Sequence, residues 1–517
     1  MKDTIHKRKL PLFNFEATSP PILTKKSIVS VKDVTAAQKL MDIAKERGMA
    51  THDILSHDLF DSTPIFDGDL PSKADKSDIL EHLESEMIQT ASLEHSDLKT
   101  HLIVDFMSKV RQMNMSNHKL FGDLIKQFIS VVSKVCSHEM LHVIFYSYLE
   151  SSVKDGERLR RSDVTPIELV ELDGATPIPV SLNKFWASSS NKEKLQLLVR
   201  ELLKKSPNSI CSAMVVDDDI LPSMLHDISG NSIVIPELDS RIEEADARTV
   251  PHIFWAAQKG CERAIILSND TDTVALLLYH MGTFLNAGLK ELWIQVGTGG
   301  KRRFLALHDF FHKKGAIMCK AVLKAHILTG EDCMSKIGTK LASVKYEPAR
   351  YLINFAEDIS LNEQDVLLAE EYLVKVWTGV LSKTSALSFD QLRIEFYNTV
   401  SLNMLPPTSA VMRGHILRGF YLIRKAVSLL DDDPIEMNPV DFGWNGETGI
   451  LLPSKFLKPL PNVLRTTCKC TSDCAKRCKC KAANLKCVVF CHNKINKGLK
   501  CTNTSGNYDA ELFEYVE

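Results

Sequence analysis

Two apolar patterns alternate along the chain. Short runs that are apolar at nearly every position occur as HLIVD at 101–105, LHVIF at 141–145, RAIIL at 263–267 and ELWIQV at 291–296. A strand reads this way when both faces of its sheet are covered. Around these runs, apolar residues recur at helical spacing, which predicts helices over 121–135 and 192–205. Strand and helix in alternation predict an α/β fold, a parallel sheet flanked by helices. Beyond this region the pattern is helical, over 35–47 and 73–87 before it and over 361–376 and 413–430 after it.

The apolar runs end in acid. Asp105 closes the first, and the third is followed by SNDTD, with Asp270 and Asp272 two residues apart. Ligands of parallel sheets sit at the carboxyl ends of strands. Residues two apart in an extended segment point to the same side. Upstream, EEADAR at 243–248 brings Glu244 and Asp246 to the start of a helical stretch, where the helix dipole alone also favours acids. Taken singly, each acid also reads as a turn or cap residue. Gathered at one sheet edge they repel one another unless cations intervene, and Mg²⁺ or Mn²⁺ suits hard carboxylate oxygens.

Composition separates the C-terminal end from the rest. The 517 residues carry a formal charge of -2, yet residues 453–501 hold twelve Lys/Arg against one acidic residue. A basic end on an acidic body fits a polyanionic partner held locally. The first residues are polar, and no apolar stretch approaches the roughly 18 residues of a membrane span. An intracellular, reduced protein with no membrane partner is therefore expected.

Eight of the thirteen cysteines fall in the frame C-x-C-x3-C-x3-C-x-C-x6-C-x3-C-x9-C: Cys468, Cys470, Cys474, Cys478, Cys480, Cys487, Cys491 and Cys501. A segment this short has no apolar core of its own, so thiolate bonds to a soft metal are expected to fold it, with Zn²⁺ the expected ion and His492 a further candidate ligand. Disulfides are the rival reading, which a reducing compartment disfavours. The text CKCTSDCAKRCKCKAANLKCVVFC resembles the CXC module of tesmin/TSO1-like chromatin proteins. That likeness implies zinc ions shared among thiolates and a DNA-binding face, here Lys476, Arg477, Lys479, Lys481 and Lys486. His492 departs from the family, standing where another Cys-x-Cys step belongs.

The order of the acids carries a second likeness. Asp105 at a strand end, Glu244-Ala-Asp246-Ala, Asn269-Asp270-Thr-Asp272, then Asp332 in TGED before KIGTK at 336–340 resembles the flap endonuclease branch of the PIN-like nucleases over roughly residues 96–345. The resemblance implies divalent metals held by Asp105, Glu244, Asp246, Asp270, Asp272 and Asp332. It also implies a basic arch with Lys154, Arg158, Arg160 and Arg161 on the substrate strand, and Gly338 with Lys340 on the duplex backbone. SVKDGERLRR at 152–161, IEEADAR, LPPT at 405–408 and Gly443-Trp444 further resemble a group of animal proteins, often associated with mobile elements, that join such a domain to a terminal cysteine module. Both groups end the second strand in Phe-Asp, whereas here Tyr146 follows Phe145, and a phenol with a pKa near 10 is a poor Mg²⁺ ligand.

Two functional expectations stay open: a metal-dependent, structure-selective nuclease brought to DNA by its zinc module, and a noncatalytic nucleic-acid-binding protein that keeps the fold as scaffold. The expected organisation is a helical extension over 1–95, the nuclease-like domain over 96–345, a helical extension over 346–452, the zinc module over 453–505 and a tail over 506–517, in a nuclear protein. The turn GTGGKRR at 297–303 lacks the spacing of a phosphate loop and reads as a basic strand connection. DDD at 217–219 closes an apolar run without an evident partner.

Overall fold

The computed structural model describes residues 31–503 apart from 75–76, 136–137, 149–151, 161–163, 206–210, 218–222, 228–230, 239–241, 380–383, 432–435, 448, 471–473, 475–476, 492–500 and 502. The four apolar runs form the middle of a nine-stranded sheet. In chain order its strands are β1 (Gln89–Thr90), β2 (Thr100–Asp105), β3 (Met140–Ile144), β4 (Ala213–Val216), β5 (Met224–Asp227), β6 (Ser232–Val234), β7 (Arg263–Leu267), β8 (Glu291–Val296) and β9 (Arg303–Ala306). They lie side by side as β1, β9, β8, β7, β2, β3, β4, β5, β6. The five central strands, β8 to β4, run parallel, and the flanking pairs are antiparallel. The α/β expectation of a parallel-rich sheet flanked by helices is met.

Helices cover both faces. α1 (Val31–Glu46) lies outside the sheet, against the C-terminal cysteines. On one face α2 (Phe106–Gln112), α3 (Phe121–Val132) and α4 (Ser189–Lys205) pack on Leu102, Val104, Leu141, Val143, Ile265 and Leu267. On the other, α5 (Ala245–Gln258) and α6 (Thr271–Asn286) pack on Ile103, Ala264, Ile266 and Ile294. The same core continues into α7 (Leu307–Leu328), α8 (Glu363–Thr378) and α9 (Ser409–Val427). Strand residues thus alternate between two cores, which is why both phases of each run are apolar. Each Leu, Ile or Val among these side chains contributes about 1.5–3 kcal/mol by leaving water.

Two local features fix the geometry behind the crevice. Asp217, just past β4 and 1% exposed, accepts from the Phe145 amide and from Ser223 Oγ, and pairs with Arg248 on α5 at 2.5 Å. Its partner is therefore downstream, on the helix that carries Asp246. Three buried imidazoles form a chain beneath, His101 to His142 at 3.1 Å and His142 to His252 at 3.2 Å.

Candidate metal centres and nucleic-acid face

After β2 the chain adds β3 and β4 on one side of the sheet, then returns to lay β7 and β8 on the other. Strand order reverses between β2 and β7, and in such sheets the crevice outside the carboxyl ends of the strands at that point is where ligands bind. Asp105 is the last residue of β2 and the N-cap of α2, its carboxylate accepting from the Ser108 amide at 3.0 Å. Burial pushes this carboxyl up to about 6, against the Ser108 and Met107 amides that favour its charge. Asp270 caps α6 and accepts from the Asp272 amide at 3.1 Å. Asn269 ties this loop in place, its amide donating to Ser108 Oγ and its side-chain oxygen accepting from the Gly297 amide.

Asp246, in the first turn of α5, meets this loop. Asp246, Asp270 and Asp272 each offer a carboxylate oxygen within 4.8 Å of the others. Around an ion with bonds of about 2.1 Å, ligand oxygens stand up to roughly 4.2 Å apart, so the trio needs only small rotations to close on a hard cation. Burial and the Glu244 charge hold the Asp246 carboxyl well above the ordinary range. His326, buried on α7, anchors Asp272 from behind, Nε2 to Oδ1 at 2.7 Å. No motif in the chain pointed to His326; its place follows from the packing of α6 on α7.

Asp105, Glu244 and Asp332, expected among the ligands, lie outside that trio. Glu244 and Asp332 face Lys154 Nζ instead, at 2.7 and 4.0 Å. Burial alone would lower the Lys154 ammonium, but Glu244, Asp246 and Asp332 around it hold it well above its ordinary range. Tyr146 donates to Glu243 at 2.8 Å, and the same carboxylate takes Arg158 at 2.7 Å and Ser152 Oγ at 2.8 Å. The phenol where the resembling families place a carboxylate thus serves as a hydrogen-bond donor.

Several residues expected on substrate are occupied within the fold. Lys154 and Arg158 make the ion pairs above. Arg160 pairs with Glu157 at 2.8 Å and donates to the Pro71 carbonyl. Lys340 is corrected outright: it is buried, and its ammonium donates to the His326 and Gly330 carbonyls and to Thr329 Oγ1. It holds the turn after α7 and has no face toward nucleic acid. At Gly338, with φ +58°, a Cβ would stand 2.2 Å from the Val376 carbonyl oxygen, so glycine is demanded by close packing on α8. Arg161 lies outside the described residues. Exposed cations at this end of the sheet are Arg111 in the last turn of α2, which no motif singled out, and Lys301 and Arg302 on the β8–β9 turn, which the sequence offered only as a basic strand connection.

The cysteines converge into three sets: Cys468, Cys470, Cys474 and Cys478; Cys468, Cys480, Cys487 and Cys491; and Cys474, Cys487 and Cys501. Each pair of sets shares one thiol. Sulfur separations are 3.8 Å for Cys468–Cys474, 3.7 Å for Cys468–Cys487, 3.5 Å for Cys480–Cys491 and 3.9 Å for Cys474–Cys487. Tetrahedral bonds of about 2.3 Å to a zinc ion separate ligand sulfurs by about 3.8 Å, whereas a disulfide needs about 2.05 Å. All eight are free thiols, and the cluster can hold zinc. In the third set the Asn503 side chain donates to Cys487 Sγ at 3.3 Å. His492 and Lys476 lie outside the described residues. Arg477, Lys479 and Lys481 are exposed on the outer side of the cluster.

No family model matches the chain, and no curated protein matches it. Among solved structures, the T5 D15 protein co-crystallised with metal ions is 10% identical over 65% of this chain and 100% of that one, with a TM-score of 0.30. The bacteriophage T5 D15 flap endonuclease, in a pseudo-enzyme–product complex with DNA and metal ions, is 11% identical over 64% of this chain and 100% of that one, with a TM-score of 0.26. The fold assignment here stands on the sheet's own topology. Among the described residues no helix is long and apolar enough to cross a membrane.

Proposed function

We propose that this protein is a metal-dependent, structure-selective nuclease brought to DNA by a zinc-folded cysteine module. The observation that carries the reading is the meeting of Asp246, Asp270 and Asp272 at the switch point of a parallel sheet. Hard carboxylate oxygens fit Mg²⁺ or Mn²⁺, and such an ion supplies a more acidic bound water and neutralises charge on a phosphodiester. The chain's own groups do the rest. Asp272 is aimed by His326, and Asp270 is fixed by its own cap and the Asn269 loop. Asp105, with its carboxyl near 6, can hold or release a proton around neutrality at the same sheet end. Glu244 and Asp332 surround this centre and orient Lys154.

DNA is engaged electrostatically. Lys301 and Arg302 beside the crevice, and Arg477, Lys479 and Lys481 on the cysteine module, stand exposed where they can neutralise phosphates and release counterions. The three cysteine sets supply soft thiolates for Zn²⁺.

A second reading, a DNA-binding protein without catalysis, is favoured by one observation: Lys154 fills the Glu244–Asp332 side of the crevice and Tyr146 is committed to Glu243. A single experiment separates the two. The full chain is incubated with a flapped duplex and Mn²⁺, and cleavage and binding are read together. The nuclease reading expects cutting by the wild type that D270A/D272A abolishes while binding persists. Binding without cutting by the wild type establishes the second reading, and equal cutting by both proteins contradicts the first.

A further inference from the structure

α1 and the cysteine segment meet at one buried arginine. Arg47 follows α1 and is 2% exposed. Its Nη2 donates to the Thr466 carbonyl at 2.6 Å, to the Lys486 carbonyl at 3.4 Å and toward Cys480 Sγ at 3.9 Å. Its Nε and Nη1 are buried without a hydrogen-bond partner. A guanidinium taken out of water with donors unused costs several kcal/mol unless negative charge stands close by. Among the described residues no carboxylate pairs with it, and neutral thiols cannot supply that charge.

Metal-bound cysteines can. Binding deprotonates the thiols, and two or three divalent ions leave the eight thiolates with a net negative charge, delivered where Arg47 lies. The rest of α1 is shaped for the same surface. Ala37, Met41 and Ala44, at helical spacing, are buried with Leu464, Val488 and the cysteines. Glu46 accepts from the Val489 amide at 2.9 Å, at the start of the turn Val489–Cys491, and Lys39 Nζ lies 5.5 Å from the Phe490 ring centre.

We propose that α1 and Arg47 are an integral part of the metal–thiolate module, with Arg47 as its buried counter-charge, so that metal loading at the C-terminal end orders the N-terminal helix. This rests on the zinc reading given above. It makes the cysteine segment incomplete by itself: without metal the apolar stripe of α1 loses the cysteine side of its cover and keeps only Ile54, Leu55, Leu59 and Leu405, and without Arg47 the thiolate cluster loses its cation.

The test uses the full chain. Zinc content is measured first, then amide exchange over residues 31–47 before and after chelation, then the rate of zinc transfer to a chromogenic chelator for wild type, R47M and R47K. Expected are loss of protection in 31–47 on chelation while β2 and β7 stay protected, zinc release at least tenfold faster in R47M, and partial rescue in R47K. A zinc-loaded wild type whose helix stays protected after chelation overturns the proposal, as does R47M that keeps zinc like the wild type. Should R47M not fold, the exchange measurement on the wild type decides alone. A wild type purified from zinc-supplied cells with no zinc overturns the zinc reading itself, a result distinct from either of these.

Discussion

Lys154 Nζ lies 2.7 Å from a Glu244 carboxylate oxygen, inside the crevice where the acids gather. An ammonium there offsets the charge of Glu244 and Asp332, while Asp246, Asp270 and Asp272 hold their carboxylate oxygens close enough together to take a divalent ion. Removing the ammonium while keeping the side chain's volume, as K154M, should raise the number of Mn²⁺ ions held by the protein and lower its Tm in the absence of metal. Calorimetric titration with Mn²⁺ checks the first outcome and thermal unfolding the second. An unchanged stoichiometry with an unchanged Tm would show that Lys154 is no counter-ion.

Protons compete with metal at this centre. The Asp246 carboxyl is held well above its ordinary range and Asp105 is raised to about 6. A carboxyl whose folded pKa is raised still holds its proton at a pH where an ordinary carboxyl has ionised, and metal must displace that proton. The Tm gain produced by a fixed Mn²⁺ concentration should therefore shrink as pH is lowered from 7.5 through 6. Titrations at pH 6.5 in buffers of different ionisation enthalpy should show proton release on binding; a Tm gain independent of pH would contradict the assignment.

Acid should also unfold the protein through its buried imidazoles. Burial lowers His101 and His252 to about 4 and His142 well below its ordinary value. The unfolded chain takes up these protons near pH 6.5 while the folded chain does not, so stability contributed by neutral histidines is full above that pH and is lost as pH falls toward 4. Each histidine contributes a slope of up to about 1.4 kcal/mol per pH unit. The raised carboxyls act in the opposite sense, so the histidine part is read by difference. H142Q should reduce the stability lost between pH 6.5 and 5.5 by about 1 kcal/mol, measured by urea unfolding.

Much of the fold was legible because each strand is buried on both sides. HLIVD and RAIIL feed two cores at once, and their full burial is what made them stand out as strands. The edge strands β5 and β6 have no such signature: Ser232–Val234 is exposed throughout. At the site, Asp246, Asp270 and Asp272 could be read because strand ends and helix starts place them. The commitment of Lys154 to Glu244, of Lys340 to carbonyls and of His326 to Asp272 depends on which helix packs on which, a tertiary relation that no local spacing encodes. Asp217 shows the same limit, since its partner Arg248 arrives from a helix whose docking only the assembled sheet defines.

That buried pair supports the helix carrying Asp246. Arg248 is 2% exposed and Asp217 1%. Removing one partner leaves an uncompensated charge, so R248M should cost about 3–5 kcal/mol in urea unfolding. Combining it with D217L should restore part of that loss, because both charges are then gone. Equal stability of R248M and wild type would show that the pair is not structural.

The central claim is that Asp246, Asp270 and Asp272 together hold a divalent cation, and its most direct test is an electron paramagnetic resonance titration with Mn²⁺ on the wild type and D270N/D272N. Asparagine keeps the helix cap at position 270 and removes only charge. The account predicts bound Mn²⁺ in the wild type that the variant loses, with both proteins folded in the absence of metal. Mn²⁺ bound equally by both proteins, or by neither, would contradict it.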